Sequence, residues 1–418
     1  MIERCLWLDA LPPRGPAAPL PRCADVAVVG AGYTGLSAAR TLARHGASVL
    51  VLERHRIGSG ASGRNGGFVL PGFKPEPGWL IRRYGIEAAR ALFDTSMEAI
   101  GFLESLIADE AIDCGYARRG TVTLAGRPSH LRNLALSGRV LRERFGHQTV
   151  LLGRNDLREE LDSRWYHGGL LDPAAGGLHP ARYCAGLAAA AVRRGAVIVE
   201  GVEVLGATRV GGGTTIATSD GPVDVAEVLV ATNGYTGPAF PPLERRVVPI
   251  GSYVIATAPL GDSLAGALIP RRRVMSDTWN LLHYFRLSDD GRLVFGGRAS
   301  FTPTTIDRSS GILAAAMRRV FPALATVPIE FAWAGKVAFC RDRMPHAGRL
   351  DGWHYALGYA GHGVALSTWL GARMGDALAG RGAMPAFTGD PPAIPLYRGR
   401  PWFLPAVGAY YRTKDAMR

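Results

Sequence analysis

Residues 25–53, DVAVVGAGYTGLSAARTLARHGASVLVLE, constrain this chain more than any other stretch. An apolar run at 26–29 enters Gly30-x-Gly32-x-x-Gly35. A segment of helical period follows, with Leu36, Ala39, Leu42 and Ala43 on one face, and a second apolar run at 48–52 ends at Glu53. Strand, glycine turn, helix, strand and acid in this order predict a βαβ unit that binds a dinucleotide. Gly30 permits the tight turn, Gly32 lets backbone approach a pyrophosphate, and Gly35 lets helix and strand pack closely. The helix N-terminus, at Tyr33 and Thr34, offers free N–H groups and partial positive charge to phosphate. Glu53 is placed to accept from both hydroxyls of an adenosine ribose.

A chain of 418 residues has room for two domains. Its 47% hydrophobic and 20% charged content is that of a soluble globular protein. No apolar run approaches the ~20 residues of a membrane span, and the N-terminus lacks a signal-peptide pattern. Cys5, Cys23, Cys114, Cys184 and Cys340 are scattered and odd in number, without CxxC spacing. They argue against a disulfide framework or a metal site and for a cytoplasmic location. The net charge of +13 comes from dispersed arginines, and Lys74, Lys336 and Lys414 are the only lysines. Such dispersion predicts attraction for small anions rather than nucleic-acid binding.

Residues 1–22 read as an extended, Pro-rich arm and 54–80 as a Gly/Ser/Asn-rich functional loop region. Helical patterns cover 88–107, 130–145, 309–321 and 364–379, and Pro180 opens another helix. Strand patterns cover 197–232, 247–256, 281–287 and 292–295. Asp290-Gly291 suits a hairpin turn between the last two. Residues 385–418 form a Pro- and aromatic-rich tail.

Four segments then carry a family resemblance. They are the βαβ unit with IGSGASGRNGG at 57–67; GGLHP at 176–180 with VATNGY at 230–235; YFRL at 284–287 with LVFGGR at 293–298; and WAGK at 333–336, RMPH at 343–346 and GYAGHG at 358–363. The chain resembles the D-amino-acid-oxidase superfamily of FAD-dependent amine oxidoreductases, and within it the gamma-glutamylputrescine oxidase-like proteins. The resemblance implies an α/β fold, in which a Rossmann-like FAD-binding domain (1–80, 170–245, 335–385) is interleaved with an α+β substrate domain (81–169, 246–334). The substrate domain is built on a mostly antiparallel sheet, and 386–418 is a C-terminal tail.

The resemblance also implies residue roles. Glu53 and Arg54 bracket the adenosine, and Val202 lies by the adenine. Gly60, Ala61 and Ser62 approach the pyrophosphate, and Arg64 and Asn65 reach phosphate or the flavin's polar edge. Gly66 and Gly67 leave room for the ring, while Ala231, Thr232 and Gly234 close from the other side. Gly361, His362, Gly363 and Val364 begin a helix aimed at the flavin C2 carbonyl and N1, where charge builds on reduction. Tyr253, Tyr284 and Trp333 are candidates for the substrate wall, as are Trp279, His283 and Arg286, and His362 is a further active-site candidate. Lys336 is the cation expected near N5. Cys340-Arg341-Asp342 stands where many members carry Thr-Pro-Asp, and Cys340 is off the position of a covalent flavin link, so non-covalent FAD is expected.

The activity implied is hydride transfer from an amine α-carbon to flavin, hydrolysis of the imine, and reoxidation by O2 to hydrogen peroxide. An amine dehydrogenase using another acceptor and a non-catalytic flavin-binding partner are the alternatives. A nicotinamide-dependent reductase would call for a second GxGxxG unit, which Gly211-Gly212-Gly213 does not supply.

Overall fold

A computed structural model describes residues 3–12, 18–301, 304–385, 387 and 389–417. The fingerprint folds as expected: strand Cys23–Val29, helix Tyr33–Arg44 and strand Val49–Glu53. The two strands pair in parallel, Val26 with Val49 and Val29 with Leu52. Val197–Glu200 joins the far edge of Val49–Glu53, and Gly221–Val230 pairs in parallel with Cys23–Val29 on its other side. Trp353–Leu357 adds beyond Gly221–Val230, and His346–Leu350 closes that edge antiparallel. This sheet therefore takes strands from both ends and the middle of the chain. Val26, Ala27, Val28 and Val29 are all buried because apolar clusters cover both faces of the sheet.

The second sheet runs Ile329–Phe339, Val248–Thr257, Leu293–Gly297, His283–Leu287, Val274–Asp277, Thr121–Leu124, Gly169–Asp172, Val150–Leu152. Every pair is antiparallel except Val274–Asp277 with Thr121–Leu124. The expected hairpin closes at Leu287 and Leu293. Phe285 and Phe295 stack at 5.5 Å on one face, and Phe321 meets Phe285 edge-on at 5.2 Å. The fold class is thus α/β, a Rossmann-like sheet combined with a mostly antiparallel one.

Two segments differ from expectation. The N-terminal arm is not simply extended. Leu6–Asp9 forms one helical turn, and Trp7 is buried against His179 at 4.9 Å and Trp333 at 6.3 Å. An aromatic anchor of this size outweighs the extended bias of the prolines around it; residues 1–2 and 13–17 lie outside the described residues. The tail contains a 13-residue helix, Leu404–Ala416. Pro405 falls in its first turn, where a missing N–H costs nothing. Tyr411 stacks on Phe301 at 5.7 Å, and the Asp415 carboxylate accepts from Asn280 N, Asn280 Nδ2 and Leu281 N at 3.1, 2.6 and 2.9 Å. No helix among the described residues is long and apolar enough to cross a membrane.

Candidate cofactor and substrate site

The glycine turn sets the floor of the site. Gly30 has φ +104°, which L side chains rarely adopt, and its N–H donates to Leu52 O at 2.8 Å. A Cβ on Gly35 would stand 2.0 Å from Gly30 O, so Gly35 serves helix–strand packing. A Cβ on Gly32 would come 2.8 Å from Ser62 Oγ, which itself accepts from Tyr33 N at 3.0 Å. The Gly/Ser loop is thereby drawn onto the fingerprint turn. Glu53 faces the same turn, with Oε2 accepting from Ala31 N at 2.9 Å and Oε1 from His55 N at 3.0 Å.

Arg64 and Asn65 are engaged differently from the sequence expectation. Asn65 Nδ2 donates to Ala61 O, Ser62 O and Tyr33 OH at 3.0, 3.0 and 3.2 Å, and Oδ1 accepts from Gly67 N at 2.7 Å. Arg64 donates to Ser59 O at 2.7 Å and Ala334 O at 3.1 Å, and pairs with Glu3. Asn65 ties the loop to itself and to Tyr33, and Arg64 ties it to Ala334 and Glu3.

The last helix, Gly363–Leu378, supplies the opposite wall. It crosses the fingerprint helix at very close range: a Cβ on Gly371 would meet Thr34 O at 2.2 Å, and one on Gly375 would meet Ala38 O at 2.9 Å. Ser37 Oγ donates to Thr368 O at 2.6 Å, and the Thr34 and Tyr359 hydroxyls bond at 2.8 Å. Consequently both helix N-termini open on one cavity of about 340 Å³. Gly30, Gly32, Tyr33, Thr34, Glu53, Arg54, Gly60, Ala61, Ser62, Asn65, Val202, Ala231, Thr232, Gly361, Gly363, Val364 and Lys336 all line it. Gly35, Arg64, Gly66, Gly67, Gly234 and His362 do not. Ser59, at the start of the loop expected under the pyrophosphate, lines the cavity too, whereas sequence reasoning missed Glu203, Tyr235, Tyr359 and Ser367. Tyr359 sits inside a quoted motif, but nothing local announced that its hydroxyl would reach Thr34.

The candidate catalytic side chains separate into three places. Lys336 Nζ lies 5.1 Å from the centre of the Tyr235 ring; burial lowers its pKa and the charge of Arg54 lowers it further. Lys336 and Arg54 both line the cavity. Trp333 is buried between Trp7 and the loop, and its Nε1 donates to Arg64 O at 2.9 Å, a scaffold contact. Tyr253 is buried on its strand, and Tyr284 bonds Ser252 Oγ at 3.1 Å. Burial raises the pKa of both tyrosines. Neither lines the cavity, although the Tyr284 ring sits against Gly66 and meets Phe68 edge-on at 5.7 Å. His283 is held by Asp277 at 2.9 Å, Arg286 donates to Leu178 O at 2.8 Å, and Trp279 lies under Arg127 at 4.6 Å.

His362 is the residue before the last helix, between lining residues Gly361 and Gly363. Its Nδ1 is sealed from solvent and has no hydrogen-bond partner among the described residues. Burial, then the charge of Lys74, lowers its pKa to about 3, so the ring is neutral at ordinary pH.

Comparison with known proteins agrees with this geometry. The family model described as DAO, FAD dependent oxidoreductase, matches residues 25–377. The chain is 35% identical over 401 residues to gamma-glutamylputrescine oxidoreductase of Escherichia coli, covering 94% of this chain and 93% of that one. It is 36% identical over 383 residues to a protein named probable oxidoreductase OrdL of Haemophilus influenzae, covering 90% and 85% of the two chains. In fold it resembles glycine oxidase of Geobacillus kaustophilus, with TM-score 0.73 and 19% identity over 87% of this chain and 97% of that one.

Proposed function

This chain belongs to the FAD-dependent oxidoreductase family, with FAD as its cofactor, and from that premise we propose that it oxidises the C–N bond of an amine. The observation that carries this reading is the convergence of two helix N-termini on one cavity, one rising from Gly32 and the other from His362. Residues of this chain fit the cofactor. The cradle at Gly32 admits no Cβ, which suits a pyrophosphate pressed against backbone. Glu53 keeps a carboxylate at the fingerprint end for ribose hydroxyls, with Arg54 and Val202 beside it. Lys336, within Coulombic reach of Arg54, suits the phosphates better than the flavin N5 expected from the sequence.

Bound FAD supplies the two-electron acceptor, taking the hydride from the carbon beside the amine nitrogen and returning two electrons to O2, which leaves with two protons as hydrogen peroxide. The substrate loses that hydride and an N–H proton, and water converts the resulting imine to a carbonyl and a freed amine. In this reading the Gly361, Gly363 and Val364 N–H groups face the developing negative charge at the far end of the cavity. Tyr284 and Phe68 form an apolar flank beside Gly66, an environment that disfavours an ammonium and so favours the neutral amine needed for hydride loss. Asn65 and Arg64 hold the loop between the two ends.

FAD is read as non-covalent, since no cysteine among the described residues lines the cavity. Cys340 is buried, its thiol pKa raised by desolvation and then by Asp342. Five scattered cysteines, odd in number and without CxxC spacing, suit a reducing compartment, and we read the protein as cytoplasmic. Residues 1–80, 170–245 and 335–385 are read as the cofactor-holding part and 81–169 and 246–334 as the substrate part, with Ile329–Phe339 straddling the two. The test is anaerobic addition of an amine panel, including amino acids and gamma-glutamylputrescine, to the yellow holoprotein. Bleaching is expected, and rapid recolouring with peroxide on admitting air. Slow recolouring would instead assign another electron acceptor, and no bleaching with any amine would remove the catalytic reading.

A further inference from the structure

Residues 3–9 carry no motif, yet they are tied to the rest of the fold at several points. Arg4 N donates to Ala332 O at 3.0 Å, an antiparallel bridge to the edge strand Ile329–Phe339. The turn Leu6–Asp9 follows, and Trp7 shares one apolar cluster with Cys5, Leu6, Ala181 and Trp333. Trp7 is 2% exposed, and its Nε1 is sealed from solvent with no hydrogen-bond partner among the described residues. A buried donor left unpaired is destabilising, so the indole serves here by its shape and not by its N–H.

This arm reaches the Gly/Ser loop from behind. Gly58, Ser59, Gly60, Ala61, Ser62 and Asn65 line the cofactor cavity, whereas Gly63 and Arg64 do not. Those two are the residues the arm touches. Cys5 Sγ donates to Gly63 O at 3.7 Å, and a Cβ on Gly63 would stand 2.9 Å from Leu8 Cδ2. Glu3 pairs with the Arg64 guanidinium, and Arg64 O accepts from Trp333 Nε1 at 2.9 Å, with Trp7 against Trp333 in turn. The single helical turn Ala61–Arg64 therefore has a cofactor face and an arm face.

A loop this rich in glycine and serine loses much conformational freedom on being fixed. A first partner that orders it leaves less to be ordered by the second, so two partners on opposite faces bind cooperatively without touching each other. Linkage makes the effect mutual: the cofactor holds the arm by the same factor as the arm favours the cofactor.

We propose that residues 3–9 form a strap that holds the Gly60–Arg64 turn in its FAD-binding form, with Trp7 as the wedge, so that arm and cofactor each keep the other in place. Glu3, Trp7 and Leu8 are positioning residues, acting through Gly63 and Arg64 and not lining the cavity themselves. The inference rests on FAD as the cofactor and requires nothing of the amine-oxidation reading, so the two stand or fall separately.

The experiment compares hydrogen exchange of the N-terminal peptide, read by mass spectrometry, in full-length apoprotein and FAD-loaded protein, with strand Val248–Thr257 as internal reference. The amides of Arg4, Leu8 and Asp9, bonded to Ala332 O and Cys5 O, should exchange roughly tenfold faster without FAD, while the reference strand keeps its protection. Flavin fluorescence titration should find the FAD dissociation constant raised roughly tenfold or more in Trp7→Ala, and roughly two- to fivefold in Glu3→Gln, whose ion pair is partly exposed. Trp7→Phe keeps the wedge, drops the unpaired donor and should retain most of the affinity. Phe321→Leu, in the core of the other sheet, is the control for stability alone: it should weaken the apoprotein to urea and leave FAD affinity near wild type. Arm exchange indifferent to FAD, wild-type FAD affinity in Trp7→Ala, or equal loss of affinity in Trp7→Ala and Phe321→Leu would each overturn the proposal. If Trp7→Ala fails to fold, the exchange comparison on the unaltered protein and the titration of Glu3→Gln decide.

Discussion

The close crossing of the fingerprint helix and the last helix makes Gly371→Ala an informative perturbation. The new Cβ would lie 2.2 Å from Thr34 O, a backbone atom that cannot rotate away. A relaxed carbon–oxygen contact needs about 3.3 Å, so the helices must part by about 1 Å. Overpacking of that kind costs about 1–3 kcal/mol. The Ser37–Thr368 and Thr34–Tyr359 hydrogen bonds would stretch, each worth about 1 kcal/mol, whereas alanine returns about 1 kcal/mol of helix propensity. The net is a loss of about 2 kcal/mol. Parting the helices also separates the two N-termini that converge on the cavity, so FAD affinity should fall roughly tenfold or more. Flavin fluorescence titration of apoprotein measures the affinity, and urea denaturation of apoprotein measures the stability. Gly375→Ala, with its Cβ 2.9 Å from Ala38 O, should do the same to a smaller degree. Wild-type FAD affinity and stability in Gly371→Ala, or a larger effect at Gly375, would refute the idea that this crossing sets the cavity.

Glu53→Ala removes the carboxylate at the fingerprint end and should weaken FAD by about 1.5–3 kcal/mol, roughly ten- to a hundredfold, read by the same titration. Lys336→Met should lower FAD affinity and flatten its dependence on salt while leaving the rate of recolouring by O2 unchanged; a slowed recolouring with unchanged affinity would return Lys336 to the flavin. Stability should fall as pH drops below about 6.5, because the unfolded chain then protonates histidines that the fold keeps neutral, at about 1.4 kcal/mol per pH unit for each such group. His362, lowered to about 3, and His179, lowered to about 4, both by burial first, are the groups concerned. His362→Gln should therefore lose less stability than wild type between pH 7 and 5 in urea melts, and equal losses would contradict the assignment.

The βαβ unit was legible because its information is local: glycine spacing, helical period and apolar strands all lie within 29 consecutive residues, 25–53. The last helix was legible for the same reason, but not its partner. Gly371 and Gly375 read as ordinary helix glycines until Thr34 and Ala38, far earlier in the chain, prove to lie against them. Arg64 and Asn65 look like ligand-reaching groups by residue type, yet nearby carbonyls and the Glu3 carboxylate claim them first. The helix at Leu404–Ala416 escaped because its prolines and aromatics do not repeat with one apolar face; Tyr411 on Phe301 and Asp415 on Asn280 and Leu281 fix it instead.

The strand order of the parallel sheet has a consequence for biosynthesis. Trp353–Leu357 pairs with Gly221–Val230, and the helix that packs on Thr34 and Ala38 is Gly363–Leu378. A ribosome must therefore release nearly the whole polypeptide before the first βαβ unit acquires its opposite wall. Until then its apolar surfaces wait exposed, and sequence-distant contacts of this kind close slowly. Nascent chains stalled before residue 363 should consequently fail to retain the flavin, however early the glycine turn itself emerges.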